Sequence, residues 1–202
     1  MAGEEKWAWR VIDEVEKAVV GKRDILTKIM TAILAGGHIL IEDIPGTGKT
    51  TMALAFSRAM GLEVKRVQFT PDVLPSDLTG FTVYQKETGK FVYQPGAAIC
   101  NLLLADEINR TSPKTQSALL EVMEEQQVTV DGVTRDTGNP FIVIATENPA
   151  GSAGTQLLPE SQLDRFMICV SMGYPTLEEE MKILRRSQGS VQAGERITDS
   201  VE

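Results

Sequence analysis

The chain has 202 residues, 42% of them hydrophobic and 24% charged, which is ordinary for one globular domain. Its formal net charge of -8 and pI near 4.8 argue against broad binding to nucleic acids or membranes, which requires clustered lysine and arginine. One histidine and two cysteines without a CxxC pair leave almost no material for zinc sites or histidine-dependent triads.

The N-terminus carries no targeting pattern. Residues 1–21 lack a basic start followed by an apolar run and a cleavage site, so they do not resemble a signal peptide. No segment approaches the ~18 consecutive apolar residues of a membrane span. We therefore expect a cytoplasmic protein without a membrane span, in which Cys100 and Cys169 are buried, reduced thiols.

Helices and apolar strands alternate along the chain. A first helix is predicted over residues 7–19, where apolar residues recur at helical spacing before Gly21. Five continuous apolar strands are predicted, in the segments HILIE, EVKRVQF, NLLLADE, FIVIATEN and MICVSM. Two alternating segments around tight turns, FTVYQKETGKFVY and VTVDGVTRD, predict β-hairpins, and Asp131-Gly132 in the second suits a type I′ turn. The pattern predicts an α/β fold, with a five-stranded parallel sheet covered by helices on both faces and two hairpin insertions.

Two helix starts carry capping signals. Ser112 precedes Pro113, which suits the N-cap and first helical positions. Thr176 and Glu179 have the spacing of a capping box at the start of the last predicted helix.

The stretch HILIEDIPGTGKT runs from an apolar strand into a glycine-rich loop and a helix start. Gly46 and Gly48 let backbone N–H groups converge on phosphate oxygens at the N-terminus of the helix. Lys49 supplies a positive charge to the phosphates, and the hydroxyl of Thr50 can ligate Mg²⁺. The general phosphate-loop motif has glycine where this chain has Asp43. We place Asp43 at the end of the strand, where its side chain need not face phosphate.

Polar residues also follow other buried strands. In LLLADE, Asp106 can hold Mg²⁺, and Glu107 can act as a general base toward an attacking water, although an isolated Asp-Glu pair is commonly a helix cap. In VIATENP, Asn148 either contacts the attacking water or γ-phosphate or forms an Asn-Pro turn. Arg165 is either a surface ion-pair residue or an arginine finger that reaches a neighbouring subunit's nucleotide. His38 is interpreted as a packed strand residue.

The segments IEDIPGTGKT, LLLADEINRTSPKTQSALLEVMEEQQVTVDG, IATENP and LPESQLDRF resemble the AAA+ ATPases of the MoxR family. The resemblance extends over residues 1–185 and implies a P-loop NTPase fold, a three-layer αβα sandwich that hydrolyses ATP with Mg²⁺. It implies that Asp106 and Glu107 form the Walker B pair, Asn148 is sensor 1 and Arg165 is a finger acting between subunits.

Together, the motifs and the resemblance predict a complete set of site residues. The predicted catalytic residues are Glu107, Asn148 and Arg165. The predicted Mg²⁺ ligands are Thr50 and Asp106. The predicted nucleotide-binding residues are Val20, Gly21, Pro45, Gly46, Thr47, Gly48, Lys49, Thr50, Thr51 and Asp106. Val20 and Gly21 match the segment that lies beside adenine in the family.

The same resemblance implies the cellular role. Family members act as chaperone-like rings, taken here as homohexamers, that use ATP to mature or activate partner proteins or metal-containing complexes. A partner with a von Willebrand factor A domain often accompanies them. Hairpins such as the two predicted here face the ring pore or the remodelled substrate in relatives.

Residues 1–175 are predicted to form the nucleotide-binding core, and residues 176–202 the start of a truncated lid helix and a polar tail. Only 30 residues follow Met172, whereas AAA+ proteins carry a helical lid there. A nucleotide-binding interaction module without turnover therefore stays open as an alternative. A small-molecule kinase is disfavoured, because the chain offers a buried Asp-Glu pair and hairpins instead of an acceptor pocket and lid arginines. A DNA-linked AAA+ relative is disfavoured by the acidic charge.

Overall fold

A computed structural model describes residues 2–42, 48–147, 158–174 and 176–181. The helices are α1 (Ala2–Glu16), α2 (Arg23–Leu34), α3 (Lys49–Met60), α4 (Pro75–Thr79), α5 (Pro113–Glu125) and α6 (Glu160–Leu163). The strands are β1 (Ile39–Glu42), β2 (Val64–Gln68), β3 (Phe81–Gln85), β4 (Lys90–Gln94), β5 (Leu102–Asp106), β6 (Gln127–Val130), β7 (Val133–Asp136), β8 (Ile142–Glu147) and β9 (Ile168–Val170). Within the described ranges no helix is long and apolar enough to cross a membrane.

The central sheet has five parallel strands in the order β2-β5-β8-β1-β9. Strand β8 therefore lies between β1, which precedes the phosphate loop, and β5, which ends in Asp106. Because all five strands run the same way, their carboxyl ends meet at one edge. The predicted parallel α/β architecture is confirmed, and its topology gathers the polar strand ends on one side of the molecule.

Apolar side chains cover both faces of this sheet. One buried cluster joins the sheet to α1, α2 and α3, through residues such as Val11, Ile29 and Phe56. The other joins it to α4 and α5, through Leu78 and Leu119. Strands β5 and β8 are buried along their whole length, which explains their continuous apolar sequences.

The two predicted hairpins are present as separate two-stranded sheets, β3-β4 and β6-β7. Asp131 and Gly132, at the tip of the second, have φ of 52° and 74°. Positive φ at both central residues is the requirement of the predicted type I′ turn.

Both predicted helix caps form hydrogen bonds. The hydroxyl of Ser112 accepts the N–H of Thr115 at 3.3 Å. The N–H of Thr176 donates to the carboxylate of Glu179 at 2.7 Å, and the N–H of Glu179 donates back to the Thr176 hydroxyl at 3.3 Å. The predicted capping box is therefore complete.

His38 is a packed strand residue, as predicted. Its Nε2 donates to the carbonyl of Met123 and its Nδ1 accepts the N–H of Val143, both at 3.0 Å. Burial lowers the pKa of His38, which keeps the ring neutral in this apolar site.

Two local predictions were wrong. Helix α1 ends at Glu16, well before Gly21, and a turn covers the residues between them. Cys100 is buried as expected, but Cys169 is exposed. Strand β9 pairs with β1 alone among the described strands, so its apolar sequence lies at the edge of the sheet.

Candidate active site

A cavity of about 370 Å³ opens at the carboxyl edge of the sheet. Its lining residues are Gly48, Lys49, Thr50, Thr51, Arg66, Gln68, Asp106, Glu107 and Thr146. The end of the predicted phosphate loop and the predicted acidic pair thus share one cavity, although more than fifty residues separate them in sequence. This is the position at which parallel α/β sheets bind their ligands.

The start of helix α3 forms one wall of the cavity. Gly48 is the N-cap residue in a left-handed conformation with φ 85°, which glycine adopts without strain. Lys49 follows as the first helical residue and is buried. A lysine at a helix N-terminus concentrates positive charge, so this wall suits a phosphate group. Pro45, Gly46 and Thr47 lie outside the described residues.

Asp106 is a buried carboxylate at the end of β5, with its side chain 8% exposed. Its Oδ2 accepts a hydrogen bond from Arg66 Nε at 2.7 Å, and its Oδ1 lies 3.4 Å from the hydroxyl of Thr146. The Thr50 hydroxyl lines the same cavity. Hydroxyl and carboxylate oxygens are the hard donors that Mg²⁺ prefers, so these two residues fit the predicted cation.

Glu107 is held in an unusual backbone conformation, with φ 57° and ψ 48°. Its N–H donates to the Thr146 hydroxyl at 2.9 Å, and its carboxylate accepts from Arg110 at 2.8 Å. A left-handed conformation is uncommon outside glycine and costs energy, and such residues cluster at functional sites. These contacts fix both the backbone and the carboxylate of Glu107 at the cavity.

Three further predicted site residues, all within the described ranges, do not line this cavity. Asn148 lies outside the described residues. Arg165 forms an ion pair with Glu124 at 2.8 Å, on the exposed surface. Val20 and Gly21 lie elsewhere, and a Cβ at Gly21 would fall 1.7 Å from Glu179 Oε1, against the helix that follows Thr176. The roles of Val20 and Gly21 beside adenine, and of Arg165 as an arginine finger, stay predictions.

The structure adds polar residues that the sequence interpretation missed, namely Arg66, Gln68, Arg110 and Thr146. The sequence could have indicated Thr146, because it is a polar residue near the end of an otherwise apolar strand. It could not have indicated Arg66, because the segment around Arg66 reads as an ordinary strand, and its pairing with Asp106 depends on β2 lying beside β5.

Beside the cavity edge, Glu147 and Glu42 are neighbours in register on β8 and β1. Glu147 is 8% exposed, and its Oε2 has no hydrogen-bond partner among the described residues. Burial, followed by the hydrogen bond and the charge of Glu42, raises the pKa of Glu147 to about 7. The buried carboxyl therefore stays protonated to near-neutral pH, at the point where β8 leads into Asn148.

This pair predicts a pH-dependent stability. The ordinary pKa of Glu147 is 4.5, so the stability it contributes is complete below 4.5 and is lost as pH rises through about 7. Glu147→Gln cannot ionise and should therefore gain roughly 1–3 kcal/mol over the wild type at pH 8, relative to their difference at pH 4.5. Urea unfolding at the two pH values measures this gain. Glu160→Gln, at an exposed position, should show none.

The sequence matches a protein family and several known proteins. Residues 38–168 match the model of the ATPase family associated with various cellular activities (AAA). The chain is 52% identical over 181 residues to the uncharacterized protein YeaC of Bacillus subtilis, covering 90% of this chain and 57% of YeaC. It is 42% identical over 177 residues to Chaperone MoxR1 of Mycobacterium tuberculosis, covering 88% of this chain and 47% of MoxR1.

A solved structure shares the fold. The crystal structure of a provisionally named ATPase from Cytophaga hutchinsonii superposes with a TM-score of 0.81 at 43% identity, covering 94% of this chain and 59% of that chain. The chain thus spans about half the length of the curated relatives it matches.

Proposed function

Because the chain belongs to the MoxR family of AAA+ ATPases, we propose that it binds Mg-ATP in the cavity at the sheet edge and hydrolyses it. The observation that carries the proposal is the shared cavity, which joins Gly48–Thr51 to the acidic pair Asp106 and Glu107. A phosphate-binding wall opposite two carboxylates is the arrangement that phosphoryl transfer from a nucleotide requires.

The cavity wall formed by the start of α3 binds the nucleotide. Lys49 and the N–H groups at the start of α3 hold the β- and γ-phosphates through charge and hydrogen bonds. Thr50 and Asp106 would hold Mg²⁺, which when bound neutralises charge on the phosphate oxygens. The protein has an acidic net charge, so these local cations supply the attraction that its global field lacks.

Glu107 acts on the attacking water. It accepts a proton from the water as the water oxygen bonds to the γ-phosphorus, and the bond to the β-phosphate oxygen breaks to leave ADP and phosphate. The N–H of Glu107 donates to the Thr146 hydroxyl, and Arg110 donates to the Glu107 carboxylate, so the backbone and the carboxylate are both held at the cavity. Positioning of this kind lowers the entropic cost of the reaction.

The work driven by ATP is assigned to a protein client handled by a ring of subunits. On the β3-β4 hairpin, Tyr84 and Phe91 form an aromatic pair with ring centroids 5.2 Å apart, and they are 52% and 76% exposed. Exposed apolar groups that are this large often mark interaction sites. Arg135 stacks on Tyr93 at 3.8 Å, which joins this hairpin to β6-β7. We extend this to a hexamer with a von Willebrand factor A domain partner, as the family resemblance implies.

The first test removes the phosphate-binding charge. Lys49→Ala should weaken ATP binding on the order of 10- to 100-fold, because it deletes a charge-assisted hydrogen bond to phosphate. Isothermal titration with ATP and Mg²⁺ measures the affinity, and thermal unfolding checks that the variant is folded. Lys65→Ala removes the same charge from β2, where Lys65 Nζ contacts the carbonyl of Gly96, and should bind normally. Equal affinity of Lys49→Ala and the wild type would contradict the proposed site.

A further inference from the structure

Arg66 is the one arginine that lines the candidate nucleotide cavity within the described residues. It lies on β2 in register with Leu104, whereas Gln68 is the residue in register with Asp106. To reach Asp106, the side chain of Arg66 must therefore extend about 7 Å along the strands toward the carboxyl edge. The resulting Nε–Oδ2 distance of 2.7 Å is that of a strong, charge-assisted hydrogen bond.

The partners of this ion pair differ in burial. The Asp106 side chain is 8% exposed, and that of Arg66 is 53% exposed. A buried carboxylate needs a cation or several hydrogen bonds, and the other described contact of Asp106 is the long one to Thr146. Among the described residues, Arg66 is therefore the cation that pairs directly with Asp106.

Arg66 and a metal ion would compete for the same carboxylate. Among the described residues, Asp106 is the only ion-pair or hydrogen-bond partner of Arg66, and Arg66 contacts it through Nε alone. A guanidinium carries five N–H donors, so four remain for groups in the cavity. A divalent cation on Asp106 would neutralise the carboxylate and repel the Arg66 guanidinium, so the attraction that holds Arg66 beside Asp106 would be lost.

We propose that Arg66 is a positioning residue that neutralises Asp106 until Mg²⁺ binds there, and that it then turns to the phosphates of the bound nucleotide. The proposal rests on the Mg-ATP site proposed above and deepens it. It makes the metal and the nucleotide interdependent through a side chain of the same subunit. It also explains how a buried acid is tolerated before the cation arrives.

The test compares ATP affinity in Mg²⁺ with ATP affinity in EDTA, by isothermal titration. In Arg66→Gln, ATP binding in Mg²⁺ loses only the contact of Arg66 with the phosphates. ATP binding in EDTA weakens more, because the nucleotide there meets an uncompensated Asp106 carboxylate. The ratio of the two affinities should therefore increase by about 10-fold over the wild type. Arg66→Lys keeps the charge without the planar fork, and its ratio should lie between the two. Arg66→Met provides a second neutral variant if Arg66→Gln does not fold.

The ratio separates this proposal from simple damage and from failure of the site itself. A merely structural defect weakens ATP binding equally in both conditions, and an unchanged or lower ratio overturns the proposal. Lys65→Gln, the neighbouring residue on the opposite face of β2, should keep the wild-type ratio. If the wild type fails to bind ATP in either condition, the proposed function itself is wrong.

Discussion

Glu107→Gln is expected to bind ATP with the affinity of the wild type and to lose turnover by roughly 10²- to 10⁴-fold. Glutamine keeps the shape of glutamate and can still accept the hydrogen bond that Arg110 donates to residue 107. The backbone bond to Thr146 is also unaffected, since it uses the N–H of residue 107. The amide cannot take a proton from water, so only the chemical step should suffer.

Two measurements define this result. Isothermal titration gives the ATP affinity, and release of phosphate at saturating ATP gives the turnover rate. Glu160→Gln makes the same substitution at an exposed site and should turn over normally. Wild-type turnover in Glu107→Gln would assign the base elsewhere. Binding without turnover in the wild type as well would instead support a nucleotide-binding module that does not hydrolyse ATP.

The sequence was sufficient to predict the fold because its signals are local. Strands buried on both faces are apolar throughout, and turn and cap residues mark where the elements begin and end. The Asp131-Gly132 turn and the Thr176-Glu179 capping box depend on residues within three positions of each other, and both form as predicted. The parallel sheet then follows from alternation of strands and helices.

The cavity contacts could not be predicted in the same way, because they depend on which strands are neighbours. Arg66 meets Asp106 because β2 lies next to β5, and Thr146 meets Glu107 because β8 lies on the other side of β5. Neither pairing has a sequence spacing that marks it. The exposure of Cys169 was mispredicted for the same reason, since an apolar strand segment does not reveal whether its strand is at an edge.

Arg165→Ala is expected to abolish most turnover, by roughly 10³- to 10⁵-fold, if this arginine completes the active site of a neighbouring subunit. Among the described residues, Arg165 pairs with Glu124 and does not line the nucleotide cavity of its own subunit. Its exposed position leaves it accessible to another subunit. ATP affinity should change far less than turnover, because the finger acts mainly on the transition state.

Mixing two inactive variants tests this role directly. Lys49→Ala subunits have an intact Arg165 but a defective phosphate site, and Arg165→Ala subunits have the reverse. In a mixed ring, the Arg165 of one subunit can serve the intact site of the other, so phosphate release should reappear on mixing and increase with protein concentration. Arg58→Ala, an exposed arginine on α3, should keep wild-type turnover. No recovery in mixtures that do assemble, or full activity of Arg165→Ala alone, would exclude a finger acting between subunits.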